Sequence, residues 1–142
     1  MGTFENSVTI RRSVEDVFGF LADFENVPKW NYAIVETRKM STGPVGVGTT
    51  YHQVRSVPSR SEEHFEVTAY DPPQRLEVRG QLGPFPSRVA YALDATPEGT
   101  RVTNTVELEL RGPIRLVGLV AAPRVRAAVA SNLRKLKELL EG

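Results

Sequence analysis

The chain has 142 residues, enough for one ordinary domain and too few for two. Its 40% hydrophobic content, six Phe and one Trp suit a packed globular core. A formal net charge of +1 argues against the electrostatic footprint of a nucleic-acid binder, and the absence of Cys excludes disulfide and thiolate chemistry.

The opening residues, MGTFENSVTI, lack a basic segment followed by an apolar run, so no signal peptide is expected. Asn6 stands where a myristoylation pattern needs Ser or Thr. No apolar stretch approaches the ~20 residues that cross a bilayer, so a cytoplasmic protein without integral membrane association is expected.

Residues 3–10 read as a first strand. Ser13 is a helix N-cap, with Asp16 three residues on as a capping-box variant. Val14, Val17, Phe18, Leu21 and Ala22 then give a short amphipathic helix. Asn26 and Pro28 open a second short helix that ends at Trp30.

From there the hydrophobic period becomes two. Strands are expected over 33–41, 49–56, 62–70, 76–80, 88–94 and 101–110. Loops fall at Gly43 to Gly48, Pro58-Ser59, Asp71-Pro72-Pro73, Gly83 to Pro86, and Pro97-Glu98-Gly99. Folding at Pro72-Pro73 pairs Val67 with Val78 and Ala69 with Leu76. Folding at Pro97 to Gly99 pairs Leu93 with Val102, Tyr91 with Asn104 and Val89 with Val106. Folding near Pro58 pairs Tyr51 with Phe65 and Gln53 with Glu63. Each register sets one dry face, while Glu66, Thr68, Glu77, Arg79, Thr103, Thr105, Glu107 and Glu109 line the other.

The period returns to 3.6 after Pro113. Val125, Val129, Leu133, Leu136 and Leu140 form one helical stripe. Pro123 lacks a donor N–H and is expected to break or kink the pattern. That divides it into an apolar lead-in over 114–122 and a main helix over 124–140. About 18 helical residues span roughly 27 Å, about the width a strand of ~8 residues covers, so one helix can lie across the dry face.

The fold class is therefore α+β: one strand, two short helices, a curved antiparallel sheet of six to seven strands in all, and a long C-terminal helix. This order resembles the helix-grip fold of the START-like (SRPBCC) superfamily, and most of all its bacterial polyketide cyclase/dehydrase and lipid-transport family. Five stretches carry the resemblance. They are Ser13-Val14-Glu15-Asp16-Val17-Phe18, the Asp23 to Trp30 segment with Pro28, Gly46-Val47-Gly48-Thr49, the Val67 to Leu76 hairpin with Pro72-Pro73, and Gly99-Thr100-Arg101-Val102-Thr103. Together they extend over essentially the whole chain, read as a single ligand-binding domain, 1–142.

The resemblance implies a cavity between the sheet and the last helix. The inward-facing residues then become a ligand-binding set: Trp30, Tyr51, Gln53, Phe65, Tyr91, Asn104, Val106, Leu108, Val129 and Leu133. Plain core packing is the alternative for the aliphatic members. Tyr91 opposite Asn104 is equally readable as a satisfied core hydrogen bond. Glu63 lies near a strand end and is expected to be solvated. The leading function is binding of a hydrophobic small molecule of lipid, polyketide or isoprenoid type. A cyclase/dehydratase-type enzyme is the alternative, with Tyr91 or Tyr51 as acid and Glu63 as base. A structural or partner-binding subunit with a collapsed cavity is the third reading.

His52 and His64 are expected side by side on the exposed outer face, with no third ligand to make a metal site. No cofactor is expected, since no Gly-rich loop precedes a helix. Arg115, Arg124, Arg126, Arg134, Lys135 and Lys137 outnumber the acids of the C-terminal segment. A solvated face explains them, or a membrane surface or acidic partner. The expected partner is a hydrophobic small molecule, with no nucleic acid, and the expected state is a monomer or homodimer.

Overall fold

The computed structural model describes residues 2–82 and 84–142. In chain order the elements are β1 (Gly2–Ile10), α1 (Val14–Ala22), a 3-10 turn (Phe24–Asn26), α2 (Val27–Trp30), β2 (Ile34–Lys39), β3 (Thr50–Arg55), β4 (Ser61–Asp71), β5 (Arg75–Leu82), β6 (Phe85–Thr96), β7 (Gly99–Leu108) and α3 (Ile114–Glu141). Among the described residues the strands form one seven-stranded antiparallel sheet in the order β1-β7-β6-β5-β4-β3-β2. The helix-grip arrangement expected from the sequence is present.

Local chemistry starts the short helices where the sequence places them. The Ser13 hydroxyl accepts from the Asp16 amide at 3.1 Å, and Glu15 and Asp16 stand in the first turn of α1, at the positive end of its dipole. Val17, Phe18, Leu21 and Ala22 are buried. Pro28 sits in the first turn of α2, where its missing donor is no loss.

The expected pairs Tyr51 with Phe65, Gln53 with Glu63, Leu93 with Val102, Tyr91 with Asn104 and Val89 with Val106 all form. Val67 pairs with Val78 as well, but Ala69 meets Glu77 rather than Leu76. A bulge between Val67 and Ala69 inserts one residue, so Leu76 pairs with Tyr70 instead. Tyr70 thereby packs inward, with its ring centroid 5.6 Å from that of Phe18.

Two other expectations are corrected. Phe85 and Pro86 belong to β6 rather than to a loop, and Phe85 is a buried core residue. The Gly83 part of that expected loop lies outside the described residues. Pro123 does not divide the last helix. α3 runs unbroken through it for 28 residues, about 42 Å, because Pro123 stands on the exposed side, where solvent can satisfy the carbonyl it leaves without a partner. The helix is also more apolar than the sequence pattern suggested. Among the described residues it is the one helix long and apolar enough, by length and composition, to cross a membrane, although its Leu133, Leu136 and Leu140 are committed to the protein core.

Two apolar cores result. The larger gathers α1, α2, the inner face of β3 to β7 and the back half of α3, through Leu133, Leu136 and Leu140. The smaller gathers Phe85, Val106, Leu108 and Leu110 beneath the front half of α3, which contributes Ile114, Ala121 and Ala122. Val89 and Val129 touch both. The C-terminal end of α3 is tied down by polar contacts. Arg12 Nη1 donates to the Leu140 carbonyl at 2.8 Å, and Lys137 Nζ to the Thr9 carbonyl at 2.6 Å. The Arg11 amide donates to Glu141 at 2.9 Å.

Candidate functional site

Where the two cores meet, the sheet curves away from α3 and leaves a cavity of about 110 Å³. Its floor is the inner face of β4 to β7, with Phe65, Val78, Val89 and Val106. Its roof is Val129, Asn132 and Leu133 of α3, and α2 closes one side with Val27 and Trp30. Gly80 of β5 also reaches this wall. A Cβ there would stand 2.5 Å from the Phe65 Cβ and 2.6 Å from the His64 carbonyl oxygen, so only glycine permits this approach of β5 to β4.

Eight of the ten residues expected to bind ligand line this space: Trp30, Gln53, Phe65, Tyr91, Asn104, Val106, Val129 and Leu133. Tyr51 and Leu108 do not. Tyr51 stacks behind Phe65 at 5.0 Å and meets the edge of Phe24 at 5.1 Å, so those two rings separate it from the cavity. Leu108 lies two residues beyond Val106 and is buried in the smaller core instead.

The polar members are unevenly satisfied. Glu63 is 2% exposed, not solvated as its strand-end position suggested. Its carboxylate accepts from Arg55 Nε at 2.8 Å and Nη2 at 3.3 Å, from Gln53 Nε2 at 2.8 Å and from Ser61 Oγ at 3.0 Å. Arg55 itself is 8% exposed and reaches the cavity wall. The further bonds from Gln53 and Ser61 complete the carboxylate, as a buried ion pair requires.

Asn104 is the opposite case. It is 1% exposed, and its Oδ1 has no hydrogen-bond partner. The bond that Tyr91 could have supplied across the strand pair is not made to that oxygen. Tyr91 sits against Trp30 edge to face, 6.5 Å between centroids, and burial pushes its phenol pKa well up, so the hydroxyl is neutral and available as a donor.

Among the described lining residues Arg55 carries the one charge; none is Asp, Glu, His or Lys. Sequence reasoning missed Arg55, Asn132, Phe24 and Val27 as cavity neighbours. Arg55 continues the inward alternation of Tyr51 and Gln53, and Asn132 is a polar residue three positions after Val129 on the apolar stripe. Both signals were present in the pattern.

The outer face behaves differently. A broad open furrow of about 540 Å³ crosses it, lined by Glu66, Arg79, Arg88, Glu107 and Arg111 among others. Some of its charges pair with one another, Arg88 with Glu107 at 3.1 Å and Arg111 with Glu109 at 2.7 Å. The histidines are adjacent there, 5.0 Å between ring centroids, but His52 is half-buried rather than exposed and bonds Glu62 at 2.9 Å. Among the described residues no group of three or more His, Asp or Glu is placed to hold a metal ion.

Known proteins share this architecture. The di-domain ARO/CYC StfQ of the steffimycin biosynthetic pathway superposes with a TM-score of 0.76 at 16% identity, over 98% of this chain and 50% of that one. A protein of Thermus thermophilus gives 0.74 at 20% identity, covering 99% and 94%. The ginseng major latex-like protein of Panax ginseng gives 0.74 at 14% identity, covering 99% and 98%. These likenesses concern the fold. In sequence, an uncharacterised protein of Mycobacterium tuberculosis is 31% identical over 144 residues, 94% of this chain and 81% of that protein. The family described as "Polyketide cyclase / dehydrase and lipid transport" matches residues 1–141, and the chain belongs to that family.

Proposed function

We propose that this chain, acting as a single cytoplasmic domain, binds a small hydrophobic molecule bearing a hydroxyl group in the cavity under α3. A hydroxylated polyketide, lipid or isoprenoid is the fitting class. The observation that carries this reading is the buried, unpartnered Oδ1 of Asn104 on a wall that is mostly apolar by area. Leaving such an acceptor unpaired costs about 1–3 kcal/mol, and a ligand hydroxyl would recover it. At about 110 Å³ the cavity is smaller than the ~300–1,000 Å³ of ordinary ligand sites, so it suits a ring-sized group.

The cyclase/dehydratase reading has one supporting feature, the neutral Tyr91 phenol, which could protonate a carbonyl oxygen as a carbon of the same chain attacks that carbonyl. It lacks a base. Glu63 has both oxygens engaged and does not line the cavity, and no carboxylate or His lines it among the described residues. Binding is therefore the preferred reading.

Titration with naphthol and with naphthalene tests it. Naphthol should bind about tenfold more tightly, the worth of one satisfied buried acceptor, and raise the melting temperature further. Asn104→Leu should erase the difference without destabilising the free protein, since it removes an unpaired acceptor at similar volume. Failure of both compounds to bind, or an unchanged preference in Asn104→Leu, would refute the assignment.

A further inference from the structure

The front half of α3 presents an exposed apolar surface. Leu116, Val117, Leu119 and Val120 are 71%, 56%, 56% and 74% exposed. At about 100° per residue these four side chains, with the exposed Pro123 and Ala127, occupy one arc of the helix. The opposite arc holds Ile114, Gly118, Ala121 and Ala122, which face the smaller core. Leu116, Val117 and Val120 are turned away from the sheet, while Leu119, Pro123 and Ala127 border an open groove against β1 at Gly2, Thr3, Phe4 and Asn6. By the same geometry Arg115 and Arg126 stand along one margin of it and Arg124 along the other, all exposed.

The charge around this arc has one sign. Residues 110–137 contain seven basic residues and no acidic one. Arg111 and Lys137 at its two ends pair with Glu109 and Glu141, whereas Arg115, Arg124 and Arg126 beside the arc form no ion pair among the described residues.

We propose that this arc docks the protein on an anionic lipid surface, with α3 lying in the plane of the interface. Single exposed aliphatic side chains are ordinary in any protein. Four within five residues, bordered by arginines and free of acids, have the composition of a helix that sinks its apolar side into the headgroup boundary and sets its cations against lipid phosphates. A second copy of this chain is a poorer occupant. A two-fold contact through this face would set arginine against arginine, with no acid from the segment to neutralise them. Spanning the bilayer is poorer still, because Leu133, Leu136 and Leu140 on the same helix are buried against the sheet. The docking does not depend on what the cavity binds.

Vesicle co-sedimentation of the full chain tests the proposal without any ligand. The protein should sediment with phosphatidylcholine vesicles containing phosphatidylglycerol, far less with phosphatidylcholine alone, and less as salt is raised. The double variant Leu116→Glu with Val120→Glu should weaken this binding about tenfold or more, and Arg124→Glu with Arg126→Glu should do the same. All four sites are exposed, so the variants should melt close to the wild-type temperature; one that does is a fair test. Absence of binding to anionic vesicles, or equal binding to both vesicle types, overturns the proposal. So does a dimer in sedimentation velocity that Leu116→Glu with Val120→Glu dissolves, since a second copy would then cover the arc.

Discussion

Tyr51 and Glu63 show how much one side chain's surroundings matter. Burial, helped by Asp23, Glu25 and Tyr70, pushes the Tyr51 pKa from 10.0 up to about 12. A raised acid pKa means that the unfolded chain ionises first. The associated stability is complete below pH 10 and is lost as pH rises toward the folded value. At ~1.4 kcal/mol per unit this amounts to about 2–3 kcal/mol for Tyr51 alone. Tyr91 shifts in the same direction. Melting temperature should therefore fall steeply above pH 10, less steeply in Tyr51→Phe, and least in Tyr51→Phe combined with Tyr91→Phe. Equal slopes in wild type and double variant would show that neither phenol is held neutral by the fold. The pairing of Gln53 with Glu63 was legible in the alternation, but the burial of Glu63 was not. Strand-end position favours water, and what overrules it is the Arg55 guanidinium, which the inward alternation of Tyr51 and Gln53 places on the same face two residues further along β3.

At the scale of elements, strands were easier to place than their irregularities. Uninterrupted alternation made the Tyr91 with Asn104 and Tyr51 with Phe65 registers readable, because one slip would invert every side chain. The bulge after Val67 was not readable, since an inserted residue changes register without changing composition. Pro123 misled for a related reason. Its effect depends on whether the freed carbonyl meets solvent or protein, and that is decided by which side of α3 faces out. The missing hydrogen bond still has a cost. Pro123→Ala should restore it and stabilise the protein by about 1–3 kcal/mol, raising the melting temperature by several degrees in thermal unfolding. A lower melting temperature would mean that Pro123 makes packing contacts worth more than the hydrogen bond it lacks.

For the whole molecule, the order of elements and the dry inner face were legible, because each covers many residues. The division into two cores was not, because it arises from which half of α3 lies over which strands. That division governs time as well as space. The back half of α3 is fastened by three leucines and by Arg12, Lys137 and Glu141, whereas the front half rests on Gly118, Ala121 and Ala122, side chains too small to bury much area. Gly118 fits against Leu110 because it has no Cβ, which would lie 2.1 Å from the Leu110 Cδ2. The helix is a beam clamped at one end. Its amides should exchange with deuterium on two clocks, those of residues 116–122 much sooner than those of 133–140, in peptide-resolved exchange. Uniform protection would mean that the helix opens as one piece. With two clocks, the front half of α3 lifts from the smaller core thousands of times for each time the protein unfolds, roughly a factor of 10³ or more for about 4 kcal/mol of difference, while Asn132 and Leu133 keep the roof over Asn104 in place.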